Sequence, residues 1–159
     1  MRDFLENREL ERVTIKIRQM EDSNDLPLPE YETEGSAGMD VRASVKEPVL
    51  LKPGDIRLIP TGLIVSIPLG YEGQIRPRSG LALRHGIGMV NAPGTIDSDY
   101  RGEIGIVVIN WGKKPFTIRR GDRIAQMIIS KVCRVEIICV DELDPTQRGE
   151  GGFGHSGVN

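Results

Sequence analysis

The sequence predicts an all-β domain, with a jelly roll as the first choice, on three observations. Short apolar runs with strand chemistry recur along the chain. Residues 13–18 (VTIKIR) alternate apolar and polar, and residues 104–109 (IGIVVI) are β-branched almost throughout. Gly and Pro, 19 and 10 in 159 residues, are scattered as turn punctuation and not gathered into one tract. Pro60, Pro68 and Pro77 fall so close together that no long helix fits between them. Counting the runs gives roughly ten or eleven short strands.

Length and charge narrow the class. A chain of 159 residues is one domain, long enough to bury roughly 68–70% of its unfolded surface. A formal net charge of −2 with mixed signs speaks against a surface that coats nucleic acid or binds an acidic membrane. No apolar run approaches the ~20 residues of a membrane span, and no signal peptide opens the chain. Cys133 and Cys139 share one strand parity and form no CxxC pair, which predicts two buried free thiols in a reducing cytoplasm. The organisation expected is an N-terminal extension at 1–12, a jelly-roll body at 13–145 and a flexible Gly-rich arm at 146–159.

The elements follow in order. Residues 2–12 could form a short charged helix, marginal without packing, to which no chemistry attaches. Residues 13–18 are a half-buried strand. Pro27 and Pro29 hold an irregular stretch before EGSAGMDVRA at 34–43, where small residues let a backbone pass close to a neighbour. Asp40 and Arg42 point the same way there, either toward a site or into an internal ion pair. Residues 49–51, 53–55 and 56–59 read as strand, turn and strand, and 63–67 as another strand closed by Pro68 and a turn at Gly70 and Tyr71. Residues 74–76 lead into PRSGLA at 77–82. Arg78, Ser79 and the amides around Gly80 make a possible anion cradle, helped by a short helical turn starting there, although Arg-Ser-Gly also occurs by chance in loops.

Residues 91–110 (NAPGTIDSDYRGEIGIVVIN) organise the rest. They predict a β-hairpin whose turn, 97–102, holds more acid than a turn needs. With that turn centred near Ser98, Asn91 lies opposite Gly105, and a narrow polar slot of this kind could take a flat ligand. Residues 111–115 are a turn, 116–118 a strand and 119–123 a charged turn. Residues 124–129 are a strand in which Gln126 needs partners from backbone or ligand. Residues 133–140 are the last strand. The tail at 148–157 has Gly at five of ten positions and will not fold by itself: it is a disordered tail, or a lid in which Arg148, Phe153 and Ser156 ride on a Gly hinge.

Taken together, Arg78, Ser79, Gln126, Arg148 and Ser156 suit anionic oxygens, Asn91 suits an amide-like edge, and Phe153 and Tyr100 offer flat faces. Asp97 adds a carboxylate. That set describes a nucleotide polyphosphate and suggests hydrolysis. No P-loop and no GxGxxG is present, and His85 and His155 stand alone, which gives no zinc cluster. Both histidines read as structural or exposed.

Five segments in order, AGMDVRA at 37–43, PRSGL at 77–81, GTIDSDYRG at 94–102, RGDRIAQ at 120–126 and RGEGGFG at 148–154, resemble the five motifs of the trimeric dUTPases. The resemblance covers about residues 13 to 157 and leaves the N-terminal dozen outside. It implies a distorted jelly-roll homotrimer with active sites at subunit interfaces, cleaving dUTP to dUMP and diphosphate. It also implies Mg²⁺ held mainly by substrate phosphates, with no direct side-chain ligands. Asp97 would activate water, and Tyr100 would pack under the deoxyribose. Asn91 with the hairpin backbone at Thr95, Ile96 and Gly105 would read uracil. Arg78, Ser79, Gly80 and Gln126 would hold phosphates, Arg148 and Phe153 would close the arm over the ligand, and Asp40 would support the site. His155-Ser156 stands where many relatives have Ser-Thr, so Ser156 keeps the hydroxyl.

Two rivals share the scaffold. A dCTP deaminase would need a buried Glu base in an apolar motif, which this chain lacks. A catalytically dead nucleotide-binding module would be expected to lack the acid or the arm, and both are present.

Overall fold

The computed structural model describes residues 11–152. Among them are ten strands: β1 (Lys16–Gln19), β2 (Met39–Arg42), β3 (Val49–Leu51), β4 (Ile56–Ser66), β5 (Tyr71–Pro77), β6 (Ile87–Met89), β7 (Gly94–Ile96), β8 (Glu103–Asn110), β9 (Phe116–Ile118) and β10 (Arg123–Lys131). One seven-residue helix, α1 (Ser79–His85), and a 3-10 turn at Glu21–Ser23 complete the set. The strands form two four-stranded sheets, ordered β1-β4-β8-β6 and β2-β10-β5-β7, and a two-stranded β3-β9 ribbon. Every pairing is antiparallel.

The core follows from strand periodicity. Ile104, Ile106 and Val108 alternate inward from β8, and Val41, Ile75, Ala125 and Met127 do so from the other sheet. Asn110 is fully buried yet satisfied. Its Nδ2 donates to Leu51 O and Lys114 O, each at 2.9 Å, and its Oδ1 accepts from Gly112 N at 2.8 Å, tying β8 to the ribbon. Residues 56–66, expected as two strands, are one. The register against β8 shifts between Pro60 and Ile64, and the extra residues bulge at Gly62, with φ +69°.

Three expectations need correction. The stretch 91–110 is not a paired hairpin: β7 pairs with β5, whereas β8 pairs with β4 and β6. The turn passes the chain from one sheet to the other, so its arms diverge. Residues 133–140 form no strand and pair with no strand among the described residues; Val135, Ile137 and Ile138 are 78%, 89% and 73% exposed. Cys133 and Cys139 lie on that segment and are exposed, not buried.

Candidate active site

Where the two sheets part, β6 runs out at Met89 and β7 is the edge strand of its own sheet. An edge strand keeps one row of N–H and C=O groups without ladder partners. Between these edges lies a slot of about 200 Å³, lined by Asn91, Gly94, Thr95, Ile96, Asp97, Tyr100, Glu103 and Gly105, with Ile75 and Met89 at its apolar base. Asn91 and Gly105 thus face the same space, as expected, though across a gap between sheets and not across a ladder. Divergence of the arms is what opens the slot: a paired hairpin would have filled that space with its own hydrogen bonds.

The turn holds its residues in a fixed order. Tyr100 N donates to Asp97 O at 3.1 Å, closing the turn, and Tyr100 Oη donates to Glu103 O at 2.9 Å. Gly102 is required beneath the ring, because a Cβ there would stand 2.3 Å from Tyr100 Oη. Asp97 and Tyr100 are both exposed at the slot.

A second cluster sits elsewhere. Arg78 grips Asp40 with two parallel bonds, Nε to Oδ1 at 2.9 Å and Nη2 to Oδ2 at 3.2 Å, and Nη1 donates to Arg123 O at 3.2 Å. Arg123 Nη1 in turn bridges Asp40 Oδ2 at 3.0 Å and Glu32 Oε1 at 2.7 Å. The ion pair foreseen for Asp40 is therefore real, but its partners are Arg78 and Arg123, while Arg42 Nη1 donates to Gly121 O at 2.9 Å. Two of the five N–H donors of Arg78 remain for an oxygen ligand. Gln126 stands opposite Asp40 in the β10–β2 register, and its Nε2 donates to Pro77 O at 3.2 Å. Its partner in the chain is backbone. Ser79 and Gly80 open α1 directly after Arg78.

The two clusters do not meet within one chain. Ile96 lies opposite Gly73 on β5, and Arg78 follows the far end of that strand. At ~3.3 Å per residue, Asp97 and Arg78 stand on the order of 20 Å apart along the sheet. Arg78 lines a separate pocket with Leu81, His85, Phe116, Asp122, Arg123 and Ile124. Arg148 is exposed and its Nε donates to Gly151 O at 2.6 Å within its own turn. Phe153 and Ser156 lie outside the described residues. Sequence reasoning missed Ile75, Met89, Gly94 and Glu103 as slot residues. The two apolar ones carry no signal that separates them from core, whereas Glu103, an acid heading a β-branched run, carried one.

The family model for dUTPase matches residues 24–157. The chain belongs to the dUTPase family. It is 58% identical to the deoxyuridine 5'-triphosphate nucleotidohydrolase of Caldanaerobacter subterraneus over 92% of this chain and 99% of that protein. It is 59% identical to the enzyme of the same name from Anaeromyxobacter over 91% and 98%. Its fold superposes on the dUTPase of Staphylococcus bacteriophage 80alpha, solved with dUPNHPP, at a TM-score of 0.81 and 29% identity, covering 91% of this chain and 99% of that one. A mutant dUTPase from phage phi11 of S. aureus, solved with attention to a structural Mg(II) ion, superposes at a TM-score of 0.73 and 26% identity, over 83% and 99%. The slot at 91–105 and the cluster around Arg78 both fall inside the matched span.

Proposed function

We propose that the chain hydrolyses dUTP to dUMP and diphosphate as a Mg²⁺-dependent homotrimer. The observation that carries this is Asp97 at the mouth of a slot with an unpaired strand edge on one wall and Tyr100 on its rim. Uracil offers an N3–H donor between two carbonyl acceptors, and the Asn91 amide with main-chain groups of Thr95, Ile96 and Gly105 can answer that pattern. Cytosine inverts it at two positions, leaving buried groups unpaired at a cost of roughly 1–3 kcal/mol each. A 5-methyl group would meet the slot wall. Tyr100 packs under the deoxyribose and leaves no room for a 2′-hydroxyl.

Asp97 takes a proton from water as the water attacks the α-phosphorus in line, a general-base contribution of about 10²–10⁴-fold. The bond to the β-phosphate oxygen breaks and diphosphate leaves. Arg78, Ser79, Gly80 and Gln126 receive its oxygens, with Asp40 holding the Arg78 guanidinium in plane. Arg148, Phe153 and the Ser156 hydroxyl contact the ligand from the arm. Among the described residues no three His, Cys, Asp or Glu side chains gather into a metal nest, and with Asp40 engaged by Arg78 and Arg123 the groups left open in that cluster are guanidinium N–H donors, which suit phosphate oxygens. Mg²⁺ bound to those phosphates supplies charge neutralisation on the leaving diphosphate.

The trimer answers the separation of the two clusters: the nucleoside slot of one subunit meets the Arg78 cluster of the next. It also covers the exposed apolar residues of 132–143. The activity suits the cytoplasm, where exposed Cys133 and Cys139 stay reduced; no helix among the described residues is long and apolar enough to cross a membrane. Its service there is to keep uracil out of DNA and to supply dUMP for thymidylate synthesis.

Purified protein with Mg²⁺ is expected to release diphosphate from dUTP and to spare dCTP, dTTP and UTP. Ammonia release from dCTP would replace this function with deamination, and binding without turnover would replace it with a regulatory role.

A further inference from the structure

Glu103 heads β8 and is held from two directions. On one side, β4 carries its bulge. Register runs from Ile56↔Ile109 to Pro60↔Gly105 and resumes at Ile64↔Glu103, so β4 spends four residues where β8 spends two. A bulge leaves main-chain groups without ladder partners. Here side chains supply them, one from each strand. Thr61 Oγ1 donates to Ile104 O at 2.7 Å, and Gly62 N donates to the Glu103 carboxylate at 2.8 Å. The bulge itself cannot relax. Gly62 sits at φ +69°, its O accepts from Met20 N at 2.8 Å, and a Cβ on it would stand 2.0 Å from Ser23 Oγ. On the other side, the main-chain oxygen of Glu103 accepts the Tyr100 hydroxyl at 2.9 Å.

The Tyr100 ring is otherwise exposed, and its phenol has this one anchor among the described residues. Its place at the slot is therefore as fixed as Glu103, and Glu103 is as fixed as the bulge beneath it. We propose that Glu103 is a positioning residue for sugar recognition: its carboxylate, bound by the amide of the β4 bulge, fixes the carbonyl that holds Tyr100 and so sets the discrimination between deoxyribose and ribose. The inference rests on Tyr100 being the sugar-facing wall. Glu103 works through Tyr100 and takes no part in proton transfer, which Asp97 carries out.

The test compares kcat/KM for dUTP and UTP in the full-length protein. Glu103→Ala removes the acceptor and is expected to lower the dUTP-to-UTP ratio about tenfold, mainly through KM for dUTP, as loss of one hydrogen bond to a charged acceptor implies. Glu103→Gln keeps an oxygen for Gly62 N–H and is expected to keep the ratio within about threefold. Glu103→Asp, which retracts the carboxylate by one methylene, is expected to fall between them, and it carries the test if Glu103→Ala does not fold. Tyr100→Phe, which deletes the bond at its other end, is expected to match Glu103→Ala. Equal ratios in all of these variants, with Tyr100→Ala still losing discrimination, would overturn the role of Glu103. A ratio unchanged in Tyr100→Ala would overturn the sugar wall itself. A fall in kcat alone, with the ratio intact, would also overturn the positioning role.

Discussion

Strand β8 and the segment 132–143 are made of the same material and end in opposite states. Ile104 and Ile106 are fully buried, while Ile137 is 89% exposed. The difference is partners. β8 lies between β4 and β6 and faces the second sheet, so each of its inward side chains finds a neighbour and its backbone a ladder. The 132–143 segment leaves β10 at Lys131, makes one bond back, from Val132 N to Gly70 O at 2.9 Å, and then runs free of the sheets. Strand chemistry is therefore a demand for an edge, and among the described residues the last apolar segment pairs with none. The site repeats the division. The slot around Asp97 is finished inside one chain, whereas the Arg78 cluster stands about 20 Å away along the sheet.

The largest expected effect tests the finished half. Asp97→Asn should keep nucleotide affinity, since the slot walls are untouched, and lose about 10²–10⁴-fold in kcat. Single-turnover assays beside calorimetric titration with a non-hydrolysable dUTP analogue would show it. A near-normal kcat would remove Asp97 as the base. The next effect tests the unfinished half. Ile137→Asp should leave the folded subunit intact, because that side chain touches no core, and should weaken the trimer. Burying an isoleucine contributes about 1.5–3 kcal/mol, and an aspartate in the same place adds a desolvation cost. Sedimentation should show dissociation at dilution, with activity lost in parallel. A stable and active trimer in this variant would mean that residue 137 lies outside the subunit contact, whereas a dissociated but fully active protein would mean that the slot does not depend on a neighbour.

Much of this architecture is legible in the sequence. The all-β class, the approximate strand number and the common place of Asn91, Thr95, Ile96, Asp97, Tyr100 and Gly105 could be read, because they rest on local signals: β-branching, turn formers and acid in a turn. What could not be read was pairing. Apolar alternation says that a strand has an inner face, not which strand lies beside it, so 91–110 looked like a hairpin although its arms join different sheets. For the same reason 133–140 looked like an ordinary last strand. The bulge at Gly62 was hidden too, since what demands glycine there is the close approach of Ser23, 39 residues earlier in the chain.

The smallest expected effect concerns the hinge between the two regions. Glu11 accepts a hydrogen bond from Tyr71 Oη and an ion pair from Lys131 Nζ at 2.5 Å, at the residue where β10 ends and the exposed segment begins. Lys131 first, and Tyr71 second, hold the Glu11 carboxyl below its usual range, and Glu11 in turn raises both partners. The sign follows from linkage. A carboxylate with a lowered folded pKa contributes stability above its ordinary value near 4.3, and that contribution is lost as pH falls through the lowered value. The raised Lys131 and Tyr71 contributions are present below their ordinary values and are lost as pH rises through the folded ones. The anchor is thus whole between about pH 5 and 9 and opens on either side. All three groups are on the surface, so the gain is small and salt screens it. Hydrogen exchange at Lys131 and Val132 should quicken about twofold in Glu11→Gln at pH 7, with the amides of β8 unaffected. The difference between variant and parent should shrink in 1 M salt. Equal change at β8 would mean that Glu11 stabilises the whole fold and that the root of the exposed segment is not a separate unit.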